Sequence, residues 1–571
     1  MKKKTTYFKL ILKLFFIIII SNEVYAKNLE KYYEGDKISS YFSGVLSLSE
    51  NDYSNSYKFL KQLSGLEDHH HKYSSYYQYS LINLERIKQA FDFAKALEKE
   101  KLDSFDSNLI IGIYYLKNKK NIEALKYFKK LKTNSIDGTL NGLLSKSLNN
   151  WASFSEIKEN EAINLVDKIS SRFDSIKQIQ KTFTYCFYNS NLTDVKFKEL
   201  TRGKNSEYSR YNFFHANYLD SIGKKNSAIE TVELTLKKHP RNLIINQLKE
   251  DLLSENNKKI NNQFNCRKVE DVIAEILYIV SNALAQQSLF GLSNFYLNLA
   301  KYLNPNFISF DTLYAENFYE AENLEGAKKI YKKLQSKGSS YNWFASKIIA
   351  NIMIKQKKND DAVKFLSSAF NSLTETNVFQ IYDFAVFLKE NEKFNDSKKY
   401  YTKALNLIDK NHFLYPKAKD GRGVTFERLG EWEKAEKDFL DSLSASPDQA
   451  YVINYLAYSW IEKGVNIEKS MRMLEKANKL KSNDGYIIDS LGWAFFKLKK
   501  YEDAMKYLQM AVRIMPNDPV VNDHYGDSLW FNNKNIQARY YWNYVLNLEE
   551  AEDDLKESMK KKLIHGIQSK L

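Results

Sequence analysis

Small residues recur along this 571-residue chain at intervals close to 34, and no other feature constrains the fold as much. Gly526 lies 34 positions after Gly492, and Ala538 lies 34 after Ala504. Going back, Ser470 stands at the place of Ala504, with Ala435 another 35 residues before it. Pro447 precedes Pro516 by 69. The phase continues through Ser397, Ala362 and Ala327. Near the start Ser56, Ala90 and Ala124 repeat it at spacings of 34. Fixed periods of roughly 20–50 residues mark stacked repeat architectures.

Each period reads as two amphipathic helices. In the clearest one, apolar residues recur at three- and four-residue spacing from Tyr486 to Leu498 and again from Tyr501 to Ile514. The gap at Lys499-Lys500 leaves room only for a tight turn, so the two helices form an antiparallel hairpin. Gly492 and Ala504 are predicted where the backbones cross, with Leu491, Phe495 and Leu508 filling the space beside them. Pro516 follows the second helix and stops it. Gly (19) and Pro (6) are scarce, and no run of alternating β-branched residues is bounded by turn dipeptides, so the expected class is all-α.

With those residues in register, the chain resembles the tetratricopeptide repeat (TPR) family. Gly485 to Asp518 carries Leu491-Gly492, Phe495, Ala504, Leu508, Ala511 and Pro516 at the family's spacing, with Ile488 where the family has an early Trp. A second copy holds Gly423, Phe426, Gly430, Ala435, Phe439 and Pro447, and a third Gly526, Leu529, Ala538 and Trp542. The first half is degenerate, with Gly112, Tyr115, Ala124 and Phe128 its best match. The resemblance implies a right-handed superhelical α-solenoid of roughly 13 to 15 helix pairs. In such an array each repeat touches only its neighbours. It also implies a non-catalytic scaffold, without cofactor or metal, that binds a protein or peptide in a concave groove.

The expected organisation is a signal peptide over 1–26, a degenerate solenoid over 27–253, a loop or joint over 254–270, a regular solenoid over 271–552 and a capping helix over 553–571. The first segment pairs Lys2, Lys3 and Lys4 with a short apolar core and a Val24-Tyr25-Ala26 ending. Cleavage after Ala26 would remove five Lys and one Glu and take the net charge from +15 to +11. The joint is placed on the Asn-rich stretch "SENNKKINNQFN".

Carrying over the family's inward positions places Tyr451, Asn454 and Tyr458 in the groove, then Tyr486, Asp489, Trp493 and Phe496, then Asp523, Asp527 and Trp530. Aromatic anchors flanked by acids suit a partner segment bearing basic and apolar residues. Family members that clamp a chaperone's carboxylate tail use Lys and Asn there; Asn454, Asp489 and Asp523 depart from that pattern. On this reading Trp493 and Trp530 face the groove and fill no core position. A self-associating structural subunit, or an accessory part of an envelope enzyme or transport complex, stays open beside the scaffold reading.

Other motifs carry little chemistry. Glu67-Asp68-His69-His70-His71 looks metal-like, but adjacent residues do not converge on one ion, and a polar turn is expected. His524 beside Asp523 is read as packing at a repeat junction. Cys186 and Cys266, the only cysteines, lie 80 residues apart, too far along a solenoid to be expected in contact. The lysines of Lys117 to Lys120 and Lys129-Lys130 are read as a solvated helix face, so no nucleic-acid partner is expected; peripheral contact with an anionic membrane surface stays open.

Overall fold

The computed structural model describes residues 35–68, 70–131, 136, 138–202, 209–254, 263–373 and 375–567. The 1–26 segment read as a signal peptide lies outside them. Thirty α-helices and no strand occur among the described residues. They alternate as first and second helices of successive hairpins, from Gly35–Ser49 with Tyr53–Lys61 to Pro519–Phe531 with Asn535–Leu546.

Two local devices make the hairpins. The first is a close crossing. A Cβ built at Gly492 would stand 2.7 Å from Leu508, one at Gly526 2.6 Å from Trp542, and one at Gly423 2.7 Å from Phe439. Gly44 with Leu60 and Gly112 with Phe128 repeat the arrangement, the partner sixteen residues further along each time. A large second-helix side chain thus fills the space that a first-helix side chain would take. Leu491, Ala504, Leu508, Ala511, Ala435 and Ala538 are all buried, and Pro447 and Pro516 sit exposed after their second helices.

The second device is the turn. A residue closing nearly every first helix takes a left-handed conformation: Lys499 has φ 60°, and Glu85, Lys119, Asn189, Glu322, Lys357, Glu392 and Asn533 lie between 55° and 62°. This lets Lys499 N–H reach Phe496 O at 2.9 Å and Lys500 N–H reach Phe495 O at 3.0 Å, satisfying carbonyls that the helix end leaves bare.

The chain divides into two compact units, residues 1–369 and 370–571, with the division inside helix Asn359–Asn371. The stretch 254–270 read as a joint lies within the first unit, where Phe264 and Cys266 are buried. Charge divides as well. The first unit holds 55 Lys and Arg against 40 Asp and Glu, whereas the second holds 30 of each, so all of the net +15 belongs to the first.

The first unit departs from the nearest-neighbour solenoid expected of the sequence. Its early first helices pack on much later ones: His71–Asn83 and Phe105–Lys117 both touch Phe290–Leu303, and Leu140–Ser153 touches Val269–Ala285. Buried amides stitch this seam. Asn294 Nδ2 donates to the Tyr53 hydroxyl at 2.7 Å, and Asn298 Nδ2 donates to Asn83 Oδ1 at 3.0 Å. Lys117 Nζ donates to Leu303 O at 2.8 Å and Lys119 pairs with Glu270. Two lysines of the run read as a solvated face therefore serve packing. Arg210 grips the fully buried Glu275 with both Nε and Nη2, at 2.9 and 2.8 Å, while lying 3.9 Å from the Tyr278 ring.

The same packing brings Cys186 and Cys266 together in a disulfide, with Cα atoms 5.9 Å apart. The sequence reading kept them apart because it counted repeats along an open array. Here the chain returns on itself, and sequence distance stops measuring spatial distance.

Candidate partner-binding face of the second unit

First helices of the second unit stack on one another: Val378–Glu390 on Tyr415–Arg428, Ala450–Glu462 on Gly485–Lys497, and Gly485–Lys497 on Pro519–Phe531. Their shared side carries the residues expected to form a groove, and the structure separates those residues into three groups.

Tyr451 and Tyr486 are open, at 54% and 61% exposure. Tyr451 is held in place: its hydroxyl donates to Asp484 Oδ2 at 2.8 Å, accepts from Lys481 Nζ at 3.0 Å, and its ring lies 4.3 Å from that ammonium. Asn454 and Tyr458 are half-buried. Asn454 Oδ1 is shielded from solvent and has no hydrogen-bond partner. Burial, then the nearby Glu462 and Asp489 carboxylates, push the Tyr458 hydroxyl pKa up.

Asp489, Trp493 and Phe496 are buried, and this corrects the expectation that Trp493 stands free in the groove. Trp493 is 8% exposed. Its ring stacks on His524 at 3.9 Å and on Phe496 at 4.7 Å, and its Nε1 donates to Glu462 Oε1 at 2.5 Å. His524 Nδ1 lies 3.0 and 3.1 Å from the two oxygens of Asp489. Burial alone would lower the imidazole pKa, but Asp489, with Asp523 and Asp527 beyond it, raises it. Trp493 is therefore the centre of a sandwich joining two repeats. His524 does pack at a repeat junction, and it does so hydrogen-bonded to Asp489.

The last group is covered by the chain itself. Helix Asp553–His565 follows the final hairpin and sends Lys562 Nζ to Asp523 Oδ1 at 2.6 Å and to Asp527 Oδ1 and Oδ2 at 2.7 and 2.8 Å. Asp527 also accepts from Trp542 Nε1 at 3.0 Å. Burial, then Asp523, push the Asp527 carboxyl up to about 7 against the pull of Lys562. Trp530 is half-buried, 5.4 Å from Trp542 and directly under Gly566, whose φ is 67°. A side chain at 566 would be strained in its backbone and would collide with the indole. Trp530 and the Asp523/Asp527 pair thus lie beneath a cap instead of facing an open groove.

Several members of the face escaped the sequence reading. Glu462 anchors Trp493, and Glu427 accepts from the Tyr455 hydroxyl at 2.9 Å. Burial raises Asp420 to about 6, opposed by Lys389. Inner-helix residues at family positions would have revealed Glu462; nothing local would have revealed Lys562.

Elsewhere the candidates dissolve. His70 Nδ1 accepts from Tyr73 N–H at 3.2 Å and caps helix His71–Asn83, while His69 lies outside the described residues. Among the described residues no group of three or more His, Cys, Asp or Glu is placed to hold a metal ion, and no helix is long and apolar enough to cross a membrane.

The architecture is that of an α-helical repeat protein: hairpins of one pattern, stacked so that first helices share a face. One stretch of the chain matches the tetratricopeptide repeat, and the hairpins around it share its pattern. The family described as tetratricopeptide repeat matches residues 490–518. A TPR repeat-containing protein of Pseudomonas aeruginosa is 26% identical over 180 residues, which is 31% of this chain and 29% of that relative's length. The chain therefore spans less than a third of that relative. Among solved structures, a tetratricopeptide repeat protein from Parabacteroides merdae aligns over 43% of this chain and 94% of its own, at 17% identity and a TM-score of 0.37. A thermophilic TPR protein from Thermus thermophilus aligns over 33% and 100%, at 14% identity and a TM-score of 0.29.

Proposed function

We propose that this protein is a non-catalytic scaffold whose second unit receives a segment of a partner protein along its first-helix face, and that the segment bears Lys or Arg beside apolar residues. The observation that carries this reading is the stretch from Tyr451 to Tyr486. Two exposed rings stand one repeat apart, and the same first helices carry the half-buried Tyr458 hydroxyl and the carboxylate of Glu462, which is 40% exposed. Aromatic side chains give contact area at low entropy cost, and the acid selects a cation.

The test is fluorescence anisotropy with a set of amphipathic helical peptides of matched apolar content and varied charge. Lys- or Arg-bearing peptides should bind, and acidic ones should not. Tyr451→Ala with Tyr486→Ala, both exposed and so harmless to the core, should weaken binding about thirtyfold, the scale of an aromatic hot spot of about 2 kcal/mol. Equal binding of acidic and basic peptides would refute the reading.

The scaffold is further proposed to work in the cell envelope. The Lys-rich head, apolar core and Val-Tyr-Ala ending support export. The Cys186–Cys266 disulfide also supports it, because such bonds persist in oxidising compartments. N-terminal sequencing of the protein from an envelope fraction should return Lys27; recovery of Met1 would refute cleavage.

A further inference from the structure

We propose that helix Asp553–His565 is a displaceable strap, holding Lys562 in the Asp523/Asp527 pair until a Lys- or Arg-bearing helix of the partner protein takes its place. The proposal rests on the groove reading above and adds a competitor already present in the chain.

The repeat register shows what the strap imitates. Asp489, on one first helix, receives His524 from the first helix that follows. Asp523 and Asp527, on the last first helix, receive Lys562 from the terminal helix. In both cases a carboxylate on one element takes a nitrogen donor from the next. The terminal helix therefore occupies the position of a further repeat and meets the same chemical demand.

It meets that demand with much less apolar anchoring. The Pro519–Phe531 helix that delivers His524 buries nine of its residues, whereas the terminal helix buries Met559 alone. Besides Met559, the strap is held by half-buried Leu555 and Leu563 against the same core, by Lys562, by Gly566 over Trp530, and by Arg539 Nε donating to Leu563 O at 3.2 Å. At 13 residues it falls in the length range, about 12–15, where an isolated helix is marginal in water. Its order comes from docking.

Electrostatics separates exchange from simple opening. Lifting Lys562 out would strip the carboxyls of Asp527, buried, and Asp523, largely so, of their shared ammonium donor, and buried polar groups left unpaired are costly. Exchanging one ammonium or guanidinium for another keeps the charge balance and the indole bed of Trp530 and Trp542. The strap should therefore stay shut in the free protein and yield to a cationic helix. Partner binding would uncover Trp530 and lengthen the face by one repeat.

The test uses the full chain and, as probe, a fluorescent peptide of residues 549–567. The paired change Met559→Ser with Lys562→Gln unseats the strap. The peptide should bind this variant at least tenfold more tightly than it binds the wild type. Replacing the peptide's own lysine at 562 by Gln, or adding Asp527→Asn to the variant, should remove that gain. A second measurement is independent of the variant's stability: on wild-type protein, saturating peptide should speed amide exchange within Asp553–His565 at least tenfold while Tyr501–Ile514 stays protected. Equal affinity for wild type and variant, or unchanged exchange at saturation, would overturn the strap. Basic peptides whose binding depends on Tyr451 and Tyr486 but ignores Lys562 would overturn the strap alone and leave the groove reading standing.

Discussion

Trp493→Ala tests whether the ring belongs to the fold or to the groove. The side chain is 8% exposed, lies between His524 and Phe496, and bonds to Glu462. Truncating a buried aromatic costs about 3–5 kcal/mol through lost transfer energy and the cavity left behind. The hydrogen bond to half-exposed Glu462 adds little, since water can replace the indole there. At about 1.4 kcal/mol per factor of ten, local opening should become easier by about two to three and a half powers of ten. The effect should stay near the site, because the regular repeats lean on their neighbours. Native-state hydrogen exchange reads this directly. Protection should collapse in Gly485–Lys497 and Pro519–Phe531 and hold in Leu109 to Ile113 of the first unit. Trp493→Phe keeps a ring against His524 and should cost about 1 kcal/mol more than conservative surface changes, most of it in the smaller stack. Wild-type protection in Trp493→Ala would refute the assignment of the ring to the core and restore it to the groove.

Two further outcomes follow from the same contacts. The folded pKa values of His524 and Asp527 are both raised, Asp527 to about 7. A raised group contributes stability that is full below its unfolded pKa and lost as pH rises through the folded one. The urea midpoint of the second unit, followed by Trp fluorescence, should therefore fall from pH 5.5 to pH 8.5, and His524→Gln should flatten the part above about pH 6.5; a rising midpoint would contradict the sign. Reducing the Cys186–Cys266 bond, which spans a separation of 80 residues, should lower the melting temperature of the first unit. The loop-entropy limit is about 4–5 kcal/mol, and Cys186→Ser should match the reduced wild type; an unchanged melt would show that the seam needs no staple.

The repeat phase was legible because Gly492, Gly526, Ala504 and Ala538 answer a steric demand that only small residues meet at a helix crossing. The turns were less legible. Glu85, Lys119 and Asn189 adopt left-handed backbone without being glycine, so the degenerate first half showed no punctuation there. The face was legible as a set of positions, since Asp489, Trp493 and Trp530 do fall on stacked first helices. Its burial was not, because each ring's cover comes from elsewhere: His524 lies one repeat on, and Gly566 and Lys562 lie beyond the last hairpin. The inward turn of the first unit did leave a trace. "VEDVIAEILYIVSNALA", Val269–Ala285, is apolar on nearly every side, and a helix of that kind is surrounded on all sides. Asn294 and Asn298, four apart in helix Phe290–Leu303, mark the polar seam that meets Tyr53 and Asn83.

That seam has a consequence for how such a chain can change over generations. Where repeats touch only their neighbours, one can be duplicated or lost and the rest simply shift along. In the first unit Tyr53 must meet Asn294, Asn83 must meet Asn298, and Cys186 must meet Cys266. Inserting or deleting a single repeat between any of these would slide one wall past the other and mismatch every pair at once. The first unit is therefore bound to a fixed length and can drift only by substitution. The second unit, built from more uniform hairpins, can still grow or shrink by whole repeats.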